Sequence, residues 1–183
     1  RDDYTYLAKN HVDLPLHHRA IAMRYPPGST AKPLVAAAAL TDGVIDLDTT
    51  FNCRGYLHSP GSFRCWIWRY QTGHGDLNVV GAMKNSCNVF LYSVGEQMGV
   101  ARLRWWYEQF GFCDVPGTGL PEEISGTVAT EGRDAMARML AIGQGPIATT
   151  PLHVASAMAT IARRGEFLSP VIAPGVVPGR RHS

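Results

Sequence analysis

A serine and a lysine lie one helical turn apart in residues 25–34, which read YPPGSTAKPL. Two prolines and a glycine before Ser29 forbid regular helix there, whereas the alanine-rich residues that follow favour it. If Ser29 opens this helix, Lys32 lies on the same face, within reach of the serine hydroxyl. A lysine whose pKa is lowered by burial can activate a serine nucleophile, and the free N–H groups of a helix start can stabilise an oxyanion. The pair is therefore a candidate for acyl transfer through a covalent serine intermediate.

A second polar pattern, Ser86-Cys87-Asn88, precedes another apolar helix. Taken alone, Ser29 is more simply a helix N-cap with Lys32 solvated in the first turn, and Ser86 with Asn88 is another cap. The two patterns together favour a catalytic site. Because side chains alternate along an extended segment, Ser86 and Asn88 would line a cleft while Cys87 points behind it.

Three cysteines and one histidine form another candidate site, with Cys53, Cys65, His74 and Cys87 spaced Cys-x11-Cys-x8-His-x12-Cys. Three thiols and one imidazole are the donor set of a closed structural zinc site. The spacing lacks the tight Cys-x-x-Cys pairs of a zinc finger, so by itself it is weak evidence. The alternatives are a Cys53–Cys65 disulfide, or buried thiols with His74 as a hydrogen-bonded loop residue.

The elements that must position these residues are predicted to be mostly helical. Apolar periodicity and terminal Pro and Gly signals predict helices over residues 30–40, 79–83, 89–98, 101–110 and 151–164. Residues 44–78, rich in Gly, Ser, Pro and aromatic residues, predict a long ordered loop with short strands. Residues 1–25 are predicted to be irregular, and residues 111–132 a connection.

The remaining cysteine and histidines are assigned structural roles. Cys113 is predicted to lie in the core. The other histidines are predicted to be surface or hydrogen-bonded polar residues: His11, His17, His18, His58, His153 and His182.

The composition fits one globular domain, since 45% of the 183 residues are apolar. The formal net charge is only +2 and is spread along the chain, which argues against nucleic acid as a partner. The longest apolar run, residues 33–40, is far short of the roughly 20 residues of a membrane span. The chain begins with Arg1, so we expect any leader or anchor to lie outside this sequence.

Ser-x-x-Lys followed by Ser-x-Asn resembles the signature of penicillin-binding proteins and serine β-lactamases. Residues 15–33, 73–100 and 141–170 are similar to successive blocks of the transpeptidase domain of class B penicillin-binding proteins. The resemblance implies an α+β transpeptidase fold of the penicillin-binding protein and serine β-lactamase type. It also implies that residues 1–183 are one partial transpeptidase domain, truncated at both ends, which carries mostly the helical part with most of the sheet missing.

The resemblance implies a role for each catalytic candidate. Ser29 matches the acylated nucleophile and Lys32 its general base, while Ser86 and Asn88 match the motif that relays protons and holds the substrate amide. Members of the family remove the terminal D-alanine of a peptidoglycan stem peptide, and an amine from a neighbouring strand then resolves the acyl-enzyme. β-Lactams mimic D-alanyl-D-alanine and acylate the same serine.

The resemblance is to the elongation, or rod-shape, members of the family, and it also implies zinc. In these members, the counterpart of residues 51–75 supplies acidic residues or cysteines and a Gly-His-Gly histidine to a zinc ion beside the active site. Cys53, Cys65 and His74 fall on those positions, and Cys87 on the family's metal-binding cysteine. The implied location is the periplasmic face of the bacterial inner membrane, with the anchor outside this chain. The implied partners are glycan-polymerising and elongation-complex membrane proteins.

The family's third motif, Lys-Thr-Gly, does not occur, since the lysines are Lys9, Lys32 and Lys84. We therefore expect the parent protein to be a transpeptidase, but the isolated chain to turn over slowly or not at all. The alternatives are a non-catalytic, zinc-stabilised scaffold that binds elongation partners, and a β-lactamase or β-lactam sensor.

Overall fold

The computed structural model describes residues 2–9, 14–172 and 181–182. Its α-helices are α1 (Asp2–Lys9), α2 (Arg19–Ala22), α3 (Lys32–Thr41), α4 (Val79–Lys84), α5 (Asn88–Gln109), α6 (Asp134–Ala141) and α7 (Pro151–Ala162). Its strands are β1 (Phe51–Cys53), β2 (Gly75–Leu77), β3 (Thr127–Val128), β4 (Ile147–Ala148), β5 (Phe167–Leu168) and β6 (Arg181–His182). The strands pair antiparallel as β1–β2, β3–β4 and β5–β6. The described part is therefore mainly helical with little sheet, as predicted, and none of its helices combines the length and apolar character of a membrane span.

The core forms where α5 packs against α3 and α6. A Cβ atom at Gly95 of α5 would lie 2.7 Å from the Ala137 carbonyl oxygen and 2.8 Å from the Ala141 Cβ on α6. Only glycine therefore permits this close approach of the two helices. Gly99 interrupts α5 with non-helical backbone angles (φ 73°, ψ 169°), which agrees with the two helices predicted on either side of it.

Two parts of the predicted helix pattern are wrong. The prediction that residues 1–25 are irregular is wrong, because they contain α1 and the single turn α2. Lys9 in the last turn of α1 is a basic residue where the helix dipole favours one. Helix α6 was not predicted. It follows a glycine-rich connection and is only eight residues long, although its buried residues, Ala137, Leu140 and Ala141, lie on one face.

The loop between α3 and α4 is ordered and contains short strands, as predicted. Its tip is fastened to the helical core, because His58 Nε2 lies 2.8 Å from Glu96 Oε1 on α5, which also pairs with Arg138 on α6. The Arg138 guanidinium in turn lies 4.5 Å from the centre of the Phe63 ring. His58 is thus a hydrogen-bonded polar residue, while His11 and the side chain of His182 lie outside the described residues.

His153 is a buried structural histidine at the start of α7. Its Nδ1 accepts a hydrogen bond from the Thr150 N–H at 3.1 Å, and Thr150 Oγ1 accepts one from the His153 N–H at 3.4 Å. Its Nε2 lies 2.8 Å from the Asp114 carbonyl oxygen, so the ring proton is assigned to Nε2. Burial lowers the pKa of this imidazole, against a smaller raising effect of its Asp114 contact.

We expect the stability of the fold to decrease as the pH falls below about 6.5. In the unfolded chain His153 has its ordinary pKa of 6.5, whereas in the folded protein burial gives it a lower pKa. Between those two values the unfolded state binds more protons, so the free energy of unfolding falls as the pH is lowered. Thermal unfolding at pH 7.5 and 5.5 measures this. In His153→Gln the difference between the two pH values should shrink, and an unchanged difference would assign the pH dependence to other groups.

Candidate active site

Ser29 follows a close backbone contact between two glycines, Gly28 and Gly143. Gly28 adopts a left-handed conformation (φ 58°) at the start of a 3-10 turn, Gly28–Ala31, and its N–H donates to the Gly143 carbonyl oxygen at 2.7 Å. A Cβ atom at Gly143 would lie 2.3 Å from the Gly28 carbonyl oxygen, so this approach requires glycine. The predicted helix over residues 30–40 therefore begins with a 3-10 turn and becomes α3 only at Lys32. Ser29 is exposed, and its hydroxyl has no hydrogen-bond partner in the part of the chain that the structure describes.

Lys32 is buried, with 1% of its surface exposed. Its Nζ donates to the Ser86 carbonyl oxygen at 2.7 Å and to Asn88 Oδ1 at 2.6 Å, and lies 3.0 Å from Ser86 Oγ. The structure thus brings Lys32, Ser86 and Asn88 together. Ser29 lies in the adjoining turn, and no hydrogen bond joins its hydroxyl to Lys32 Nζ.

Burial lowers the pKa of Lys32, while negative charge on the nearby Cys65 and Cys87 thiols acts in the opposite direction. Across the described ranges, no carboxylate forms an ion pair with Lys32. A buried amine held by neutral acceptors is more easily deprotonated than one paired with an acid. This is the property that a lysine general base requires.

A tight turn orients the second motif. Ser86 has a left-handed backbone (φ 47°), which is uncommon for a residue with a side chain, and Asn88 is the first residue of α5. Ser86 and Asn88 consequently face Lys32, whereas Cys87 is fully buried behind them. The predicted opposition of side chains is present, but a strained turn produces it and not an extended segment.

The four predicted metal ligands lie together behind this motif. The donor atoms of Cys53, Cys65, His74 and Cys87 all lie within 4.8 Å of one another. His74 Nδ1 is 3.5 Å from Cys53 Sγ and 3.7 Å from Cys65 Sγ, and the Cys65 and Cys87 sulfurs are 4.0 Å apart. All four cysteines of the chain are free thiols, so the alternative Cys53–Cys65 disulfide is not formed; Cys113 lies half-buried against the core.

The donor set suits a tetrahedral zinc ion. Ligand distances of about 2.3 Å for sulfur and 2.1 Å for nitrogen separate the ligand atoms of a tetrahedron by roughly 3.5–3.8 Å. The three separations above lie close to that range. Hydrogen bonding with Cys53 and then Cys87 lowers the pKa of Cys65, whereas contact with Cys65 raises the pKa of Cys53, and contacts with Cys53 and Cys65 raise that of Cys87. A thiolate is the protonation state in which cysteine binds metal.

Asn88 connects the two groups of residues. Its side-chain oxygen accepts from Lys32, and its backbone N–H donates to Cys65 Sγ at 3.3 Å. Its Nδ2 also donates to the Arg64 carbonyl oxygen at 3.3 Å. The cysteine cluster therefore supports the residue that holds the buried lysine.

Sequence reasoning missed two supporting residues, Gly143 and Trp66. The Trp66 Nε1–H donates to the Asn85 carbonyl oxygen at 2.9 Å, directly before the second motif, and its ring centre is 5.4 Å from that of His74. The only sequence signal for Trp66 was its position next to Cys65. Gly143 lies in a Gly-Gln-Gly segment whose contact with residue 28 no local pattern indicates.

Comparison with known proteins gives consistent results. A model of the family described as penicillin binding protein transpeptidase domain matches residues 2–181. The peptidoglycan D,D-transpeptidase MrdA of Acinetobacter baumannii is 36% identical over 181 residues, which cover 92% of this chain and 26% of that protein. MrdA of Escherichia coli K12 is 36% identical over 173 residues, covering 89% of this chain and 27% of that protein. The chain thus spans about a quarter of the length of these curated relatives.

Solved structures agree. PBP2 of Pseudomonas aeruginosa in complex with WCK 5153 superposes with a TM-score of 0.86 at 27% identity, over 100% of this chain and 43% of that one. Helicobacter pylori PBP2 in complex with MreC gives a TM-score of 0.83 at 28% identity, over 96% and 34% of the two chains. The predicted resemblance to elongation-type members is confirmed, and the chain belongs to the penicillin-binding protein transpeptidase domain family.

Proposed function

We propose that Ser29 is the nucleophile of a peptidoglycan D,D-transpeptidase, acylated by D-alanyl-D-alanine stem peptides or by β-lactams during cell elongation. The observation that carries the proposal is the buried Lys32, held by Ser86 and Asn88 in the turn next to the free Ser29 hydroxyl. The printed name of the MrdA relatives, peptidoglycan D,D-transpeptidase, supports this reaction class.

In the proposed reaction, neutral Lys32 accepts the proton of the Ser29 hydroxyl as Oγ attacks the carbonyl carbon of the penultimate D-alanine. Ser86 Oγ, within hydrogen-bond distance of Lys32 Nζ, relays that proton to the nitrogen of the departing terminal D-alanine. The C–N bond breaks and leaves an ester on Ser29. An amine from a neighbouring strand then attacks the ester, gives up its proton along the reverse path, and forms the cross-link.

Asn88 keeps this proton path in place. It binds Lys32 through Oδ1 and is itself anchored on the Arg64 carbonyl through Nδ2. Removing the side chain would leave the amine held by Ser86 alone. Its proposed role toward Lys32 is therefore to fix the amine in position.

We propose that Cys53, Cys65, His74 and Cys87 hold a structural zinc ion. Their donor chemistry and mutual distances support this assignment. When bound, zinc would compensate thiolate charge and cross-link the β1–β2 loop to the start of α5. It takes no part in the acyl transfer.

We propose that the protein acts at the periplasmic face of the inner membrane with membrane proteins of the elongation complex. Support comes from the Helicobacter pylori complex of PBP2 with MreC. A structure described as a peptidoglycan synthase complex that coordinates polymerization and crosslinking gives further support, at 29% identity and a TM-score of 0.83. The scaffold alternative would use the same partners but needs no reactive serine.

Release of D-alanine tests the proposal. The full-length gene product is incubated with a stem pentapeptide and an amine acceptor, because the chain spans only part of its relatives and contains no Lys-Thr-Gly. We expect one D-alanine to be released for each cross-linked peptide formed. The rates of both should fall at least about a thousandfold in Ser29→Ala. No release by the unaltered protein, with no reaction with a penicillin, would favour the scaffold. No release together with hydrolysis of a penicillin, or with a stable penicillin adduct, would favour the β-lactamase or sensor alternative.

A further inference from the structure

A short aromatic surface lies beside the second motif. The 3-10 helix Trp66–Tyr70 has no buried residue, and its Trp66 and Tyr70 side chains are 42% and 63% exposed. The guanidinium carbon of Arg69 lies 5.2 Å from the Trp66 ring centre and 4.7 Å from that of Tyr70. We call these three residues, Trp66, Arg69 and Tyr70, the aromatic ledge.

The ledge is fixed to the site at one end. The hydrogen bond of Trp66 to the Asn85 carbonyl and its edge contact with His74 hold the indole between the second motif and the cysteine cluster. Asn85 directly precedes Ser86. A ligand that reaches Ser86 can therefore extend over a preformed surface, with little ordering cost on the protein side.

The segment that contains the aromatic ledge carries only positive charge. Residues 51–75 contain three arginines and no Asp or Glu. Within the described residues Arg69 pairs with no carboxylate, whereas Arg102, Arg104 and Arg138 each do. The next acid along the chain, Asp76, accepts from Asn52 on β1. The Arg69 guanidinium is thus an exposed cation between two exposed rings, with no carboxylate partner among the described residues.

We infer that the aromatic ledge binds an acidic peptide, with a peptide carboxylate on Arg69 and the apolar part of the peptide on the Trp66 and Tyr70 rings. A planar guanidinium recognises carboxylates through paired hydrogen bonds, and aromatic rings supply contact area at low entropic cost. The inference rests on the proposed function, in which a peptide arm extends from the scissile bond at Ser29. The ledge then selects stem peptides by their side carboxylates, separately from the acylation chemistry.

Binding without turnover tests the inference. The Ser29→Ala form of the full-length gene product is titrated by calorimetry with a stem peptide that carries free side carboxylates, and with its amidated twin. We expect the acidic peptide to bind more tightly. Adding Arg69→Gln should weaken the affinity for the acidic peptide about five- to tenfold and change the affinity for the amidated peptide by less than about twofold. Arg69→Lys should recover part of the lost affinity. Arg133→Gln, which removes an exposed arginine at the start of α6, is the charge-matched control and should change neither affinity.

Trp66 is left intact in this test, because replacing it would remove its contacts with Asn85 and His74 and so disturb the cysteine cluster. Tyr70→Ala should instead weaken the binding of both peptides by the same factor. Equal affinities for the two peptides, or no binding of either, would overturn the inference. Arg69-dependent binding of anionic phospholipid vesicles, with no difference in affinity between the two peptides, would also overturn it. Penicillin acylation of the Ser29-intact protein, with and without the control change Arg133→Gln, is measured in parallel. If no variant forms an adduct, the proposed catalytic function fails, and the titration still decides the ledge.

Discussion

Replacing Lys32 with methionine is expected to lower the rate at which a penicillin acylates Ser29 by about a thousandfold or more. General bases contribute roughly 10²–10⁴ to such steps, and Lys32 is the buried amine next to the nucleophile. Methionine fills a similar volume with a flexible apolar chain, so the change removes the base without opening a cavity. Stopped-flow acylation of the full-length gene product by a fluorescent penicillin measures the rate.

The same experiment predicts a pH dependence. Only the neutral amine accepts a proton, so the acylation rate should rise with pH through the pKa of Lys32, which burial places below its ordinary value of 10.5. Lys32→Met should lose this rise. Lys84→Met, at an exposed lysine on α4, is the control and should react like the unaltered protein. A folded Lys32→Met protein, checked by its melting temperature, that keeps more than a tenth of the acylation rate would refute the base assignment.

Replacing Cys87 with serine is expected to abolish zinc binding and lower the melting temperature by about 10 °C or more, which corresponds to several kcal/mol for a domain of this size. Cys87 is fully buried, with its sulfur 4.0 Å from that of Cys65. Serine cannot replace a thiolate ligand and leaves a polar hydroxyl in the core. Elemental analysis should find about one zinc per chain in the freshly purified, reduced, unaltered protein.

Cys113→Ser provides the matched control, since this half-buried thiol lies outside the cluster. It should retain zinc and nearly all of the stability. A strong chelator should reproduce the destabilisation in the unaltered protein and have no effect on Cys87→Ser. Substantially less than one zinc per chain in the unaltered protein, with a melting temperature that a chelator does not change, would contradict the zinc proposal.

The residues whose chemistry depends on local spacing were predictable from sequence. Ser29 and Lys32 are one turn apart, and Ser86 and Asn88 flank Cys87, so their spacing placed each pair on one side of its segment. For the second pair the prediction gave the right side for the wrong reason, since a strained turn at Ser86 and not strand alternation produces it. The helices that carry them also have strong apolar patterns and clear stops. That these segments share one site came from the resemblance of the whole chain to a family, because no local pattern brings residue 32 to residue 86.

The contacts that make the site work depend on long-range packing. The backbone contact of Gly28 with Gly143 and the hydrogen bond from Trp66 to Asn85 join distant segments, and neither has a local signature. The left-handed turn at Ser86 is unfavourable for serine by itself. Lys32 binds Ser86 itself and Asn88, Trp66 binds the Asn85 carbonyl, and Cys87 is buried in the cysteine cluster, so contacts on both sides hold the turn. Sequence reasoning could therefore name the reactive groups but not the strain and close approach that orient them.

The identity of the nucleophile is the central claim, and a penicillin adduct tests it most directly. The full-length gene product is incubated with penicillin, its intact mass is measured, and the labelled peptide is sequenced by fragmentation. We predict an increase equal to the whole mass of the penicillin, because opening the β-lactam ring releases no leaving group, with the adduct on Ser29 in the peptide YPPGSTAKPL. An adduct that persists in Ser29→Ala, or no adduct on the folded unaltered protein, would contradict the account.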